Sequence, residues 1–345
     1  MSNIRRGICI PLACVFFLAS LASALGTSVD PALDLYAGPQ RLVRLDSGRQ
    51  INVLCQGSGS PVVILEAGAG GSTLEWRLVQ RKIAKTTRVC AYDRAGMGFS
   101  DPGPLPRTAQ AVVTDFLALL KAAAIKPPYV MVAHSLGSYY VRLYADQHPR
   151  DVAGMVLVDP SVEYQDERFG AISPAYLDLL RKENETARKC LLMAQAGTLT
   201  ADLPIFNECT YGYSRDPSFS DALFQVQIKR RLSAHFRATL LSETGEMNGT
   251  DSEELVAARR SYGSMPLIVL TQPGESVDAY PGLTVDEVNA LNQLWIRMHD
   301  ELAALSSRGS HRRVEHSGHY IQNDRPDVVI KAIREVVRNV RNAGH

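Results

Sequence analysis

Two regimes of apolar patterning divide this chain. Between residues 61 and 158, short unbroken apolar runs alternate with stretches whose apolar residues recur every three or four positions. The runs at 61–66, 87–92, 129–133 and 154–158 are rich in β-branched residues, as expected of strands buried on both faces. Between them, 109–125 carries Val112, Phe116, Leu117, Leu119 and Leu120 at helical spacing, and a second helix is expected after residue 135, ending near His148. Upstream, 34–49 reads as a connector with a first strand, and 50–55 alternates as a second. Strands and helices in alternation predict an α/β class with a largely parallel sheet covered by helices.

Residues 161–263 break that rhythm. They hold no buried strand run, only amphipathic stretches at 174–196, 220–242 and 253–260, so a helical insertion is expected there. Alternation resumes with a strand at 266–270, a helix at 284–306, a strand at 311–315 and a helix at 325–340. The organisation read from this is a first core part over 25–160, the insertion over 161–263 and a second core part over 264–345.

Residues 1–24 differ from the rest. Arg5 and Arg6 precede an apolar stretch, and Ala22-Ser23-Ala24 closes it with small residues. A basic start, apolar middle and small-x-small end describe an export signal cleaved after Ala24. An uncleaved anchor is the alternative, since the apolar stretch from Ile8 to Leu25 lies at the short edge of a span of about 20 residues. Pro11 and the Ala-Ser-Ala site favour cleavage, which points to a secreted or periplasmic protein with no stable membrane span afterwards.

The 345 residues are 46% hydrophobic and 21% charged, so a sizeable core is available. The net charge of +1 becomes −1 on loss of the two leader arginines, and no basic run offers a footprint for nucleic acid. Cys55, Cys90, Cys190 and Cys209 remain after cleavage, an even number that permits disulfides in an exported chain. A Cys190–Cys209 bridge is favoured because it closes a local loop; the other two lie in expected strands, where each could equally be a small buried hydrophobe. None has zinc-ligand spacing, and oligomeric state is not legible.

The chemistry centres on Val130-Met131-Val132-Ala133-His134-Ser135-Leu136-Gly137. An apolar strand stops at a serine, and a helical stretch follows. A serine at a sharp strand-to-helix turn is the nucleophile elbow, which needs small residues two positions to either side; Ala133 and Gly137 meet that need. An ordinary helix N-cap serine is the alternative.

Three further motifs join the elbow in order. Leu65-Glu66-Ala67-Gly68-Ala69-Gly70-Gly71 follows the third strand, Asp93-Arg94-Ala95-Gly96-Met97-Gly98-Phe99-Ser100 follows the fourth, and Ser317-Gly318-His319 follows the last. Together the four resemble the α/β-hydrolase superfamily over nearly all of the chain after the leader. The first motif stands where the family carries a His-Gly-x-Pro oxyanion loop, with Ala67-Gly68 in place of His-Gly. The resemblance implies a mostly parallel eight-stranded sheet flanked by helices, with the helical insertion as a cap.

The resemblance also implies roles. Ser135 would be the nucleophile and His319 its base, with His316 as a rival three residues away. The backbone N–H groups of Ala69 and Leu136 would form the oxyanion hole. Two acids compete for the third position: Asp159, directly after the strand that follows the elbow helix, and Glu275, near the more usual family position after the 266–270 strand. Asp93 and Arg94 are expected to brace their loop. Tyr139, Tyr140, Phe169, Tyr176, Phe224 and Trp295 could line an acyl pocket, with core packing the plainer role. His134 is expected to support the site rather than to react.

These assignments describe a serine hydrolase that cleaves a small-molecule carboxylic ester or related acyl substrate, with no metal or organic cofactor implied. Dehalogenases and epoxide hydrolases of this fold use aspartate at the elbow tip, where this chain has Ser135. A cofactor-free perhydrolase would use the same residues. A non-catalytic binding protein is the alternative from another class, motivated by Ala133, by Ala67 and by the acid's position.

Overall fold

A computed structural model describes residues 29–344, so the leader expected over 1–24 lies outside the described residues. The chain forms two compact units: a helical unit (residues 29–37, 166–237 and 274–294) and a sheet unit (38–165, 238–273 and 295–344).

The sheet unit is built on eight strands: β1 (Leu42–Arg44), β2 (Gln50–Gln56), β3 (Val62–Glu66), β4 (Val89–Tyr92), β5 (Tyr129–His134), β6 (Val152–Val158), β7 (Leu267–Thr271) and β8 (Gly309–Arg313). Their order is β1-β2-β4-β3-β5-β6-β7-β8. β2 runs antiparallel to β1 and β4, and all other pairs are parallel. Every residue of β3, β4, β5 and β7 is buried, which is why these strands read as unbroken apolar runs. Val63, Leu65, Val130, Val132, Val156, Ile268 and Leu270 form a core with Val329, Ile333, Val336 and Val340 of the amphipathic helix Pro326–Asn342.

Register carries the fold to the site. Glu66 of β3 pairs with Ala133 of β5, His134 pairs with Val158 of β6, and Val158 pairs with Leu270 of β7. The carboxyl ends of these strands therefore stop side by side, and the Ala67 loop, Ser135, Asp159 and Gln272 all leave the sheet along one edge. In open parallel sheets that edge is where ligands bind.

Two of the departures from the sequence reading have a clear physical cause. The last strand is Gly309–Arg313, two residues earlier than expected, because its ladder is set by Leu267–Thr271 of β7 rather than by any apolar run of its own. The single helix expected over 220–242 is two helices, Asp221–Arg231 and Ala234–Glu246. Ser233 stands directly before the second helix, where serine is a preferred N-terminal residue, and its carbonyl accepts the Arg237 N–H. The residues of the expected insertion also divide: 166–237 belong to the helical unit, and 238–263 belong to the sheet unit.

In the helical unit, Pro174–Gln195 is the longest helix, and Cys190 on it is bonded to Cys209. Both cysteines are fully buried, with Leu199, Met193 and Leu203 around them. Phe169 and Tyr176 meet edge to face at 5.2 Å, which is packing of the plainer kind. In the sheet unit, Cys55 and Cys90 are direct partners across β2 and β4 and form the second bridge. Among the described residues no helix is long and apolar enough to cross a membrane, and no group of histidine, cysteine and carboxylate side chains could hold a metal ion.

Candidate active site

Ser135 sits at the tip between β5 and the helix Gly137–Gln147, with φ of 50°. A serine in the left-handed region costs about 1–3 kcal/mol, a strain that concentrates at functional turns. Gly137 shows why the turn needs a small residue: a Cβ there would lie 2.6 Å from the Ala67 carbonyl oxygen and 2.8 Å from Glu66 Cγ. Ala133 is fully buried in β5, so its methyl group is accommodated where glycine is usual.

His319 leaves the loop after β8 and meets Asp159. Its Nδ1–H donates to Asp159 Oδ2 at 2.7 Å. That bond fixes the tautomer and leaves Nε2 as the basic nitrogen. Asp159 follows β6 directly, has φ of 43°, and is completely buried. Its second oxygen accepts from the Gln272 N–H and from Trp295 Nε1, both at 3.1 Å. Burial pushes this carboxyl up, but the hydrogen bond and charge of His319, with His299 and Trp295, hold it below the usual carboxylate range.

Of the two acid candidates, Asp159 is therefore the one bonded to His319. Glu275 lies in the helical unit, where its N–H donates to the Asn292 side chain and its carbonyl accepts from it. His316 is exposed, with φ of 60°. Trp295, considered as a pocket-lining aromatic, donates its indole N–H to Asp159 Oδ1.

The two expected oxyanion donors lie at the start of the elbow helix and in the loop after β3. Among the described residues, neither the Leu136 N–H nor the Ala69 N–H has an acceptor within the chain. Leu136 is buried at the N-terminus of the elbow helix, where unpaired N–H groups and the helix dipole favour negative charge. Ala69 lies in the loop after β3. That loop runs close to the elbow, for a Cβ on Gly68 would lie 3.2 Å from Ser135 Cβ and 2.7 Å from His134 Nδ1.

Several further residues support the site, and of these Glu75 and His299 carry no motif of their own. His134 is buried, its Nε2–H donates to the His319 carbonyl at 2.9 Å, and its ring centroid is 4.5 Å from that of His319. Its Nδ1 lies 2.8 Å from Glu75 Oε1. Glu75 also accepts the Gly68 N–H, at 3.2 Å to Oε1, and Gln322 Nε2 at 3.1 Å. His299 bonds to the Pro160 carbonyl and Thr271 Oγ1, and burial pushes it down to about 4 against the pull of Asp159. Asp93 accepts from the Thr73 N–H, Asn52 Nδ2 and the Phe99 N–H, so it braces its loop as expected. Arg94 does more: its five N–H donors reach Glu66, Glu243 and the carbonyls of Ala67 and Gly68. Local pattern could not reveal the partnership of Arg94 with Glu243, which is 149 residues away.

Comparison with known proteins agrees with the fold. The profile of the alpha/beta hydrolase fold matches residues 61–200. The protein YqjL of Bacillus subtilis is 26% identical over 281 residues, covering 81% of this chain and 85% of that protein. A protein of Gibberella zeae named as an AB hydrolase superfamily protein is 23% identical over 300 residues, covering 81% of this chain and 87% of its own length. Among solved structures, a haloalkane dehalogenase loop variant from Bradyrhizobium elkanii aligns with a TM-score of 0.64 and 16% identity, over 88% of this chain and 96% of that one. A thermophilic esterase from Thermogutta terrifontis aligns with a TM-score of 0.55 and 18% identity, over 87% and 98%. Structural likeness at such identities speaks for the fold alone, and it coincides with the sheet order and the elbow already described. Residues 61–200 match the alpha/beta hydrolase fold, and the sheet order and elbow of the chain are those of that fold.

Proposed function

We propose that this protein is a serine hydrolase that cleaves a carboxylic ester, or a related acyl bond, through an acyl intermediate on Ser135. One observation carries the reading: His319 is hydrogen-bonded through Nδ1 to the buried Asp159, in a site whose serine stands at a strained strand-to-helix tip. Serine is a poor nucleophile until a base takes its proton. His319 Nε2 takes that proton as Ser135 Oγ attacks the acyl carbon, and returns it to the leaving alcohol. Asp159 holds the imidazole in the required tautomer and stabilises the imidazolium. Charge on the acyl oxygen is met by the Leu136 and Ala69 N–H groups. Water then attacks the acyl intermediate with His319 again as base. The route requires no metal or organic cofactor.

Structural neighbours include a dehalogenase as well as an esterase. Ser135, where the aspartate-dependent chemistries of this fold need a carboxylate, supports the esterase side. The expected leader at 1–24 and the two disulfides support export to an oxidising compartment.

A panel of nitrophenyl esters of increasing chain length tests the reading. Turnover by wild type, lost in Ser135→Ala and His319→Ala, supports it. A folded wild type that binds the esters without turning any over contradicts it and favours a binding protein.

A further inference from the structure

The oxyanion hole has a neighbour whose geometry the reaction above does not use. Gly68 C=O and Ala69 N–H are the two ends of one planar peptide unit and point in opposite directions. Arg94 Nη2 donates to that Gly68 oxygen at 2.8 Å, and Nη1 donates to the preceding carbonyl, Ala67, at 2.7 Å. Two successive peptide planes are thereby pinned by one rigid guanidinium. The same group donates to Glu66 Oε1 at 2.6 Å and to both Glu243 oxygens at 2.8 and 2.9 Å. Those five bonds use all five N–H donors of an arginine. Tyr140 covers the face, 5.1 Å from the guanidinium carbon.

The cluster is a costly way to hold a loop. Arg94, Glu66 and Glu243 are almost completely buried, and ion clusters of this kind often stabilise no better than apolar packing of equal volume. A cation on a carbonyl oxygen also acts through the peptide bond. It draws electron density toward oxygen and leaves the N–H at the other end a stronger donor, an effect enhanced in a low dielectric.

We propose that Arg94 is a positioning residue that aims and polarises the Gly68–Ala69 peptide, so that the Ala69 N–H stabilises the oxyanion more strongly than an unsupported amide would. The inference rests on the acyl-serine reading. Glu66 and Glu243 hold the guanidinium in place and temper its charge, so the donor strength at Ala69 is set by the balance within the cluster. Lysine keeps the charge but has three donors and no fork, and it cannot satisfy both carbonyls and both carboxylates.

The test acylates wild type with a slowly hydrolysed ester carrying an isotope-labelled carbonyl and records the infrared stretch of the acyl group on Ser135, alongside kcat, KM and affinity for a boronic acid that mimics the oxyanion. For Arg94→Lys we expect the stretch to move to higher wavenumber. kcat should fall ~10- to 100-fold, less than the ~100- to 1,000-fold seen when a whole oxyanion donor is removed. KM should stay within about twofold, and boronate affinity should fall in step with kcat. A folded Arg94→Lys with the wild-type stretch and boronate affinity overturns the proposal. Glu243→Gln guards against loss of folding in the lysine variant and tests the sign. It removes a tempering negative charge, so the stretch should move to lower wavenumber even as thermal stability drops. A stretch that stays put, or rises, overturns the proposal. Wild type that never acylates at Ser135 defeats the serine hydrolase reading itself, which separates that failure from a failure of the Arg94 assignment.

Discussion

Two buried carboxylate clusters leave the same edge of the sheet, and they differ in what their cation can do. Asp159 faces His319, whose imidazole can take and give a proton and is 12% exposed. Glu66 and Glu243 face Arg94, which never loses its charge and is 1% exposed. On the proposed mechanism the first pair transfers a proton. The second can only orient and polarise. Burial alone therefore does not identify a reacting carboxylate; the partner's capacity to titrate does.

The comparison is sharpest for isosteric neutral substitutions. Asp159→Asn leaves the shape intact but presents an amide to His319 and disturbs its tautomer, so kcat should fall ~10,000-fold. Glu66→Gln, where no proton moves, should leave kcat within about tenfold. Steady-state kinetics on one ester checks both; equal losses would erase the distinction between the clusters.

The clusters should also bend stability with pH in opposite directions. His299, beside Asp159, is pushed down by burial to about 4 from the ordinary 6.5. The unfolded chain binds more protons at that residue, so its contribution is present above pH 6.5 and is lost as pH falls through 4. Glu66 is pushed up by burial to about 7 from 4.5, with Arg94 and Tyr92 pulling the other way. The folded chain binds more protons there, so its contribution is present below 4.5 and is lost as pH rises through 7. Each shift is worth at most about 3 kcal/mol. Denaturant titrations between pH 4 and 7 should show His299→Gln losing less stability on acidification than wild type, and Glu66→Gln losing less on the return to neutrality. A shared slope change in both variants would refute the assignment.

The smallest expected effect is at Trp295. Trp295→Phe removes the indole donor to Asp159, and should cost about 1 kcal/mol of stability and a few-fold in kcat. Thermal unfolding and kinetics measure both; an unchanged enzyme would mean the indole bond does not help hold the carboxylate.

Legibility in the sequence follows the range of the interactions involved. The four central strands announce themselves as apolar runs because both faces are buried. β8 does not, since its residues are polar and its limits come from β7. Ser135, Leu136, Ala69 and His319 lie in short motifs whose backbone demands are local. Asp159 was one of two acids, and only the packing of β6, β7 and the loop after β8 brings it to His319. Arg94 reads as a brace, but its partners Ala67 and Gly68 sit in another loop, and Glu243 lies on the distant helix Ala234–Glu246. No periodicity encodes such meetings. The helix break near Ser233 was a different case: its signal was present, but the apolar spacing on both sides concealed it.

The most direct test of the account is covalent. Residues 25–345 are treated with a fluorophosphonate probe, and the labelled residue is identified by peptide mass spectrometry. The account predicts a single adduct on Ser135, absent in Ser135→Ala and strongly slowed in His319→Ala. A folded wild type that takes no label, or an adduct on any other residue, would contradict it.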